Sequence, residues 1–506
     1  MPNKIDSNFT GLRFAEEETL KTLPASPIFY PLDPNSYSDF GGQTTNKARN
    51  PINASRQQKK SVVVDLEASG GINQDITQTN LLRMMQGFIF ADAREKPDTQ
   101  PLNGTQIVVS SVDGSAKEYA LASNITAIVP DALLYASGFG VAANNGLKTV
   151  TSNTSGTLVV DSAATEAAPP ATARLQVVGR QAAAADIDVS YSVGAFPRLN
   201  SVLLDFTTLG LIAGEWIYVG GDAVGNKFAN NGGFARISSI SANSLELDKT
   251  SWTPVTEIGT GKSIQLFFGV LIRNEPDPSL IVRRSYDLER TLGNDNDGVM
   301  SEHLIGAVAN EMTINYKQGD IITADLSFMA CDSVQRTGLQ GLVSGARPDL
   351  QETDAYNSVS DLARVSLSTV SKTDSAPSPL FAFATDATIS IKNNASMDKA
   401  LGTLGAFDIS VGTFAVSGSV TAYFADIAGT QAVRNNADIT LDFIMVKNNA
   451  GTLIDIPLIT LGNGRLGVEK DKSIMLPLDA TAAQGKFGST LTFQSFAYLP
   501  SSASTN

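Results

Sequence analysis

Residues 310–329 read NEMTINYKQGDIITADLSFM, and this stretch decides the fold class. Apolar residues alternate with polar ones on both sides of the Gln318-Gly319 pair, as at Met312 and Ile314. Alternation with a period of two is typical of strands that bury one face, and a Gln-Gly pair interrupts it as a turn. The stretch therefore predicts two β-strands joined by a turn.

Similar strand patterns cover much of the remaining chain, whereas helical periodicity is scarce. Strands are predicted in SVVVDLEA (61–68), IVRRSYDLER (281–290), ATISIKNN (387–394), FDISVGTFAVSGSVTAYFA (407–425), ADITLDFIMV (437–446), TLIDIPLITL (452–461), SIMLPLD (473–479) and STLTFQSFAYLP (489–500). One short helix is predicted in TQTNLLRMMQG (77–87), with Leu81, Leu82, Met85 and Phe88 on its inner side. The fold class is therefore mainly β, a β-sandwich or barrel with one flanking helix.

Composition indicates a protein that packs against other proteins. The chain has 506 residues, 42% hydrophobic and only 17% charged, with a net charge of −14 and a pI near 4.7. An acidic chain lacks the clustered basic residues that neutralise nucleic-acid phosphates. A surface poor in charge but rich in small polar residues favours contacts between copies of the chain.

The terminal and cysteine patterns predict a protein made in a reducing cytoplasm, without lipid contact. The N-terminus has no apolar signal-peptide core, and no run reaches the ~18 apolar residues of a membrane helix. Cys331 is the single cysteine, so an intrachain disulfide cannot form. We interpret Cys331 as a small buried hydrophobe.

Three regions of different character are predicted. Residues 1–60 contain six prolines, with eight basic and six acidic residues, which leaves −16 for the rest of the chain. We interpret them as an extended N-terminal arm that lies across a neighbouring subunit. Residues 61–100 and 271–506 are predicted to form one discontinuous β domain, within which the polar residues 345–380 are interpreted as a long loop.

Residues 101–270 are interpreted as inserted small all-β modules containing an internal repeat. The copies lie near residues 133–161 and 216–248, and each contains the letters AANNG or FANNG followed by β-like runs that end in Asp. The alignment pairs residues 144–146 with residues 230–232. Because Asn-Gly tolerates positive φ, it is a strong turn signal in both copies.

The sequence contains a single histidine and short matches to dinucleotide-binding and calcium-binding motifs, but the residues around each of them do not fit the corresponding site. His303 is the only histidine and no G-x-S-x-G elbow is present, so a hydrolase triad is not predicted. GNGRLG at 462–467 fits the dinucleotide-binding pattern G-x-G-x-x-G, but a strand is predicted after it. A dinucleotide site needs a helix N-terminus at that position to bind the phosphates. In the DNDG run at 295–298, a calcium loop would place Leu304 where its bidentate Glu belongs. We therefore expect no enzyme activity, no cofactor and no metal.

The order of these strands resembles the tail tube proteins of long-tailed bacteriophages of the siphophage type. The resemblance is carried by RRSYDLER (283–290), ANEMTINYKQGDIITADLSFMA (309–330), ATISIKNN (387–394), FDISVGTFAVSGSVTAYFAD (407–426) and GSTLTFQSFAYLP (488–500). Members of that family form rings, usually hexameric, whose inner strands close a β-barrel, and the rings stack into a tube for DNA. The insert of about 170 residues departs from the simplest members.

The resemblance implies a structural virion protein that is assembled in the host cytoplasm and becomes part of the tail. Its partners would be further copies of itself, the tail terminator and the tail tip proteins, while DNA would pass through the lumen without specific binding. Another tail structural protein, such as a terminator or hub, is the first alternative. A carbohydrate-binding or adhesive β protein is the second.

A lumen that conducts DNA is expected to carry carboxylates, which repel phosphate. Asp65 and Glu67 lie on one face of the predicted strand 61–68, opposite its apolar face. Asp320 and Asp325 lie beside the Gly319 turn and on the following strand. These four residues are the candidates for lining the channel, and a solvent-facing outer strand is the alternative for Asp65 and Glu67.

Overall fold

The computed structural model describes residues 6–504 except 53, 55, 296, 352 and 382, and of residues 8 and 295 only the backbone. The N-terminal elements are β1 (Thr10–Glu16), β2 (Tyr30–Leu32), β3 (Pro34–Arg49), β4 (Lys59–Asp75) and α1 (Leu82–Ile89).

The middle of the chain forms short strands. They are β5 (Val109–Asp113), β6 (Glu118–Leu121), β7 (Ala132–Ser137), β8 (Gly146–Thr154), β9 (Thr157–Val160), β10 (Arg174–Gln181), β11 (Asp188–Ser190), β12 (Arg198–Asn200), β13 (Trp216–Val219), β14 (Gly233–Ser241), β15 (Ser244–Thr250), β16 (Glu257–Ile258), β17 (Gln265–Phe267) and β18 (Val270–Arg273).

The last part contains longer strands and a second helix. They are β19 (Tyr286–Asp295), β20 (Gly298–Lys317), β21 (Thr323–Ala330), β22 (Asp332–Arg336), β23 (Leu362–Thr369), β24 (Ala384–Lys392), β25 (Ser396–Asp398), β26 (Asp408–Ser410), β27 (Ala415–Tyr423), α2 (Ala428–Arg434), β28 (Ile439–Lys447), β29 (Ala450–Asn463), β30 (Met475–Ala482) and β31 (Thr492–Phe496). The mainly β fold class is confirmed.

The chain divides into two compact units. Unit 1 comprises residues 1–91, 279–358 and 384–421, and unit 2 comprises residues 92–278, 359–383 and 422–506.

Unit 1 is built around the long strand β20. Its first half lies between β19 and β22, and its second half lies between β21 and β24. The sheet continues from β21 to β4 and β3, from β19 to β1 and β2, and from β24 to β27. The predicted 310–329 hairpin is confirmed as β20 and β21, with Gly319 at φ 73° in the turn.

Helix α1 packs on the buried side of this sheet. Phe88 lies 5.5 Å from Phe328, edge to face. A Cβ on Gly87 would lie 2.2 Å from the Tyr286 hydroxyl, so only glycine lets the buried Tyr286 ring approach the helix. The helix is confirmed but begins at Leu82, since the polar residues before it make a turn.

Unit 2 contains a 13-stranded antiparallel sheet with internal symmetry. Its order is β16-β11-β12-β15-β14-β13-β17-β10-β7-β8-β9-β6-β5. Reading outwards from the central β10–β17 pair, six strands of each half are equivalent and follow in the same order, and only β16 at the edge of the sheet has no equivalent strand. We name them module 1 (β5–β10, residues 109–181) and module 2 (β11–β17, residues 188–267).

A second sheet of unit 2 packs against one face of the modules. It contains β23, β28 and β29, with β31 and β18 beside the first half of β29 and β30 beside its second half. A hydrophobic cluster joins the two sheets and includes Trp216 and Phe234 from module 2 and Ile444 and Leu453 from the second sheet.

Two expectations about local structure are wrong. Residues 345–380 are not one long loop, because Leu362–Thr369 pairs with β28 and buries Leu367 completely. The strand was not predicted because the segment is rich in polar residues, and two of them, Ser366 and Ser368, are buried in the structure. The expectation of one helix also fails, because Ala428–Arg434 forms a second helix without strong apolar periodicity.

Candidate functional site

Asp65 and Glu67 lie together on the same side of β4 and share a cation. Lys399 Nζ lies 2.6 Å from Asp65 Oδ2 and 3.4 Å from Glu67 Oε1. The hydrogen bond from Lys399 lowers the pKa of Asp65, so this carboxyl stays ionised. Of the apolar face predicted for this strand, Leu66 is buried, whereas Val62 and Val64 are at least 50% exposed. Lys399 offsets one of the two negative charges, which the sequence did not indicate.

Asp325 and Asp320 occupy different environments. The Asp325 carboxylate is exposed on β21 and accepts hydrogen bonds from Asn73 Nδ2 at 2.7 Å and Asn315 Nδ2 at 2.8 Å. Asp320 lies in the β20–β21 turn, where its Oδ1 accepts from the Ile321 amide at 2.9 Å. Asp325 is therefore held within the sheet, whereas Asp320 lies in the turn between two strands.

Asp325 is the centre of a polar face that crosses four strands. Asn73 on β4, Asp325 on β21, Thr313 on β20 and Ser390 on β24 are direct cross-strand neighbours. Thr313 Oγ1 donates to Ser390 Oγ at 3.3 Å. We call this surface the polar face; its other members are Asp75, Glu311, Asn315, Thr323, Ser327, Thr388 and Lys392.

The opposite side of the same four strands is the core of unit 1. Its residues alternate with those of the polar face and include Ile72, Leu326, Ile314 and Ile389, all at most 3% exposed. This alternation fixes the register, because a slip of one residue would bury the polar side chains. The polar face is thus held rigidly and cannot turn inwards.

The outer part of the β3–β4 hairpin carries a concentration of positive charge. Residues 42–64 contain five basic residues, Lys47, Arg49, Arg56, Lys59 and Lys60, and no acidic residue. Val62, Val63 and Val64 are each at least 50% exposed. We call residues 42–64 the basic hairpin tip. Exposed valines beside like charges are typical of a surface that contacts another protein.

The histidine and the cysteine are both structural. His303 is fully buried, with Nδ1 2.8 Å from Asp287 Oδ1, and it lies on β20 rather than in a cleft. Cys331 is 1% exposed, which confirms its interpretation as a buried hydrophobe. Burial raises the pKa of the Cys331 thiol to about 11.

The described part of the chain contains no group of three or more His, Cys, Asp or Glu residues that could hold a metal ion. Asn296 of the DNDG run lies outside the described residues. GNGRLG begins with the last two residues of β29 and continues into the connection to β30, so it belongs to a strand hairpin and not to a helix start.

The internal repeat extends to a shared hydrogen-bond motif. In module 1, the Glu166 carboxylate accepts from the amide of Gly140 at 2.9 Å and from Asn144 Nδ2 at 2.8 Å. In module 2, Glu257 accepts from the amide of Asn230 at 3.0 Å and from Asn231 Nδ2 at 2.9 Å.

This motif corrects the alignment of the copies by one residue. The buried Asn144 is equivalent to Asn231, and Gly146 at φ 100° is equivalent to Gly233 at φ 127°. The sequence alignment had paired Asn144 with Asn230. The letters alone could not distinguish the two asparagines, because only their side-chain partners differ.

A buried network of charges, which the sequence analysis missed, joins module 2 to the second sheet of unit 2. Arg236 Nη2 lies 3.0 Å from Asp248 Oδ2, and Arg236 Nη1 lies 3.1 Å from Asp455 Oδ2. Asp442 pairs closely with Lys249, and Arg364 Nε lies 2.7 Å from Asp442 Oδ2.

The partners decide the charge states in this network. Burial alone would raise the pKa of Asp442, but Lys249 and Arg364 hold it below its ordinary value. Burial lowers the pKa of Lys249 despite the neighbouring carboxylate. A signal existed in the sequence, since Asp442 and Asp455 each interrupt a continuous apolar run, in ITLDFIMV and LIDIPLI.

Comparison with known proteins is consistent with this picture of a structural β protein. No helix among the described residues is long and apolar enough to span a bilayer. No curated protein matches the chain. The model of a family described as phage tail tube protein matches residues 8–482, nearly the whole length. The chain therefore belongs to the phage tail tube protein family and is a structural protein of the phage tail.

Proposed function

We propose that this chain polymerises as stacked rings into the hollow tail tube through which phage DNA passes into the host. The observation that carries the proposal is the polar face, a rigid four-stranded surface of hydrogen-bonded polar side chains in a family of tube proteins. We expect the ring to be hexameric and the tube to form in the host cytoplasm, with terminator and tip proteins at its ends.

The polar face is suited to line the lumen. Asp325 adds negative charge at its centre, while Glu311 is offset by Lys392 at 2.8 Å. Such a surface would repel DNA phosphates only close to its carboxylates, because salt at physiological concentration screens charges beyond about 8 Å. We propose Asp325 as the main lumen-lining carboxylate, with Asp65, Glu67 and Asp320 beside it.

The basic hairpin tip is suited to contact a second copy of the chain. The tip carries +5 and the whole chain −14, so the remainder carries −19. Opposite charges steer association and fix the register of subunits. Contact with a neighbour would also cover the exposed Val62–Val64 segment, whose burial stabilises the assembly.

Negative-stain microscopy of the purified full-length protein tests the proposal. Under assembly conditions we expect long tubes of constant diameter with a central channel, and averaged end views with six-fold symmetry. Single rings that do not stack would instead favour a terminator or hub. Monomers under all conditions, or fibrils without a channel, would contradict the tube.

A further inference from the structure

The two modules of unit 2 use the same sheet face in different ways. Their central hairpins have matching registers, so Leu147 and Thr149 in module 1 are equivalent to Phe234 and Arg236 in module 2. In module 2 this face is covered by the second sheet, and Phe234 and Arg236 are 0% and 3% exposed. In module 1 the same cluster fully buries Leu133, whereas Thr149 is only half-buried, so this face of module 1 is open around Thr149.

The open part of this face, around Thr149, carries a cleft whose walls come from both modules. Its volume is about 480 Å³, within the range of small-molecule sites. Its polar lining includes Asp131, Thr149, Asp161, Gln181, Asn226 and Gln265. A smaller hollow of about 190 Å³ shares Asn226 and Gln265 and extends to Tyr498.

Backbone and side-chain hydrogen bonds hold the cleft walls in place. The Asp131 amide donates to the Val150 carbonyl at 2.7 Å, and the Gln181 amide donates to the Asp131 carbonyl at 2.9 Å. Gln265 Nε2 donates to Gln181 Oε1 at 2.9 Å, across the junction of the modules. Since a primary amide has two donors and two acceptor lone pairs, this bond uses only part of each group.

We propose that this cleft binds a neutral saccharide. Carboxylates accept hydrogen bonds from sugar hydroxyls, and amides both donate and accept. The adjoining hollow is lined by the apolar side chains of Leu147, Phe267 and Pro500 beside Tyr498, which suit the apolar face of a sugar ring. Asp131 and Asp161 disfavour anionic ligands, and Arg180 Nη2 at 3.5 Å from Asp131 partly offsets that charge.

A metal ion fits the cleft less well than a saccharide does. The lining has two carboxylates, and within the described residues no group of three or more His, Cys, Asp or Glu forms a metal cluster. The proposed activity is additional to tube formation, since it needs only unit 2.

The test uses the purified full-length protein on an array of neutral and acidic oligosaccharides. Saturation-transfer NMR with free maltose, lactose, cellobiose and chitobiose accompanies the array. Asp161→Ala and Gln181→Ala remove two lining groups, and Glu469→Ala is the matched control because Glu469 is exposed and outside the cleft. Unchanged thermal unfolding midpoints show that the variants are folded.

We expect a neutral saccharide to bind the wild type and the control alike, and each cleft variant about tenfold more weakly. Binding should persist when NaCl is raised from about 0.05 M to about 0.5 M, because an uncharged ligand is not screened. Absence of binding to every neutral saccharide, or equal binding by the cleft variants, would overturn the proposal. Neither result tests tube formation, because saccharide binding is measured on the purified protein whether or not it assembles.

Discussion

At the scale of single residues, buried ion pairs join module 2 to the second sheet of unit 2. Asp442 is fully buried and pairs with Lys249 and Arg364. Removing one member of a buried pair leaves an uncompensated charge, so we expect Asp442→Asn to lower the free energy of unfolding by about 3–5 kcal/mol. Denaturant unfolding of the purified variant measures this loss.

The exposed Glu469–Lys472 pair provides the matched control. Its side chains are 67% and 70% exposed, and Glu469→Gln should change the free energy of unfolding by less than about 1 kcal/mol. Equal effects of the two substitutions would show that burial of the Asp442 pair has no energetic consequence. The double variant Asp442→Leu/Lys249→Met should recover part of the lost stability, since it removes the two fully buried charges and leaves only Arg364, whose side chain is 21% exposed.

Cys331 gives a second prediction at this scale. Because burial raises the pKa of its thiol to about 11, the thiol is neutral at pH 8 and also inaccessible. Alkylation by iodoacetamide should therefore be slow in the native protein and fast in denaturant, since the thiolate is the nucleophile. Mass spectrometry measures both rates, and rapid alkylation of the native protein would contradict a buried thiol.

At the scale of elements, the β3–β4 hairpin has two parts with different roles. Its inner part belongs to the sheet of unit 1, whereas the described residues within 42–64 are almost all exposed. If the basic hairpin tip contacts an acidic neighbour, Lys59→Glu/Lys60→Glu should reduce tube formation at least about tenfold. Sedimentation of tubes measures this reduction, and the variant should remain a folded monomer.

The control places the same change of charge elsewhere. Lys470→Glu/Lys472→Glu alters exposed lysines of unit 2 by an equal amount and should leave tube formation within about twofold of the wild type. If both double variants lose tubes equally, net charge rather than the hairpin governs assembly. Tubes of the wild type should also weaken as salt is raised, because contacts between exposed charges are screened.

At the scale of the whole molecule, the polar face of every subunit would line the channel of the proposed tube. The charge of that face would therefore act on the DNA that passes. Asp325→Lys would place a cation there in every subunit, and DNA phosphates would be attracted to the wall. We expect tubes to form but DNA ejection from reconstituted phage to be slowed about tenfold or more. The rate of DNA release on triggering measures this effect.

Asp325→Asn separates charge from packing in that experiment. The amide can still accept a hydrogen bond from Asn73 or Asn315 but carries no charge. Ejection from this variant should stay within about threefold of the wild-type rate, because no attraction to phosphate is introduced. Wild-type ejection from the Asp325→Lys particle would exclude Asp325 from the channel wall.

The sequence by itself determined the features that depend on neighbouring residues. Alternation with a period of two predicted the β20–β21 hairpin and most later strands, because strand side chains point to opposite faces in turn. Strand order supported the family, and the repeated letters around Asn144 and Asn231 revealed the two modules. Burial of Cys331 was also predicted, from its being the single cysteine of the chain.

Only the tertiary structure decided which distant residues meet. Lys399 lies more than 330 positions from Asp65, Arg236 lies 219 from Asp455, and Gln181 lies 84 from Gln265. Local periodicity fixes the face on which a side chain lies but not the strand that will cover that face. The buried network, the cation beside Asp65 and Glu67, and the open face of module 1 all arise from strand pairing and sheet packing between segments far apart in the chain.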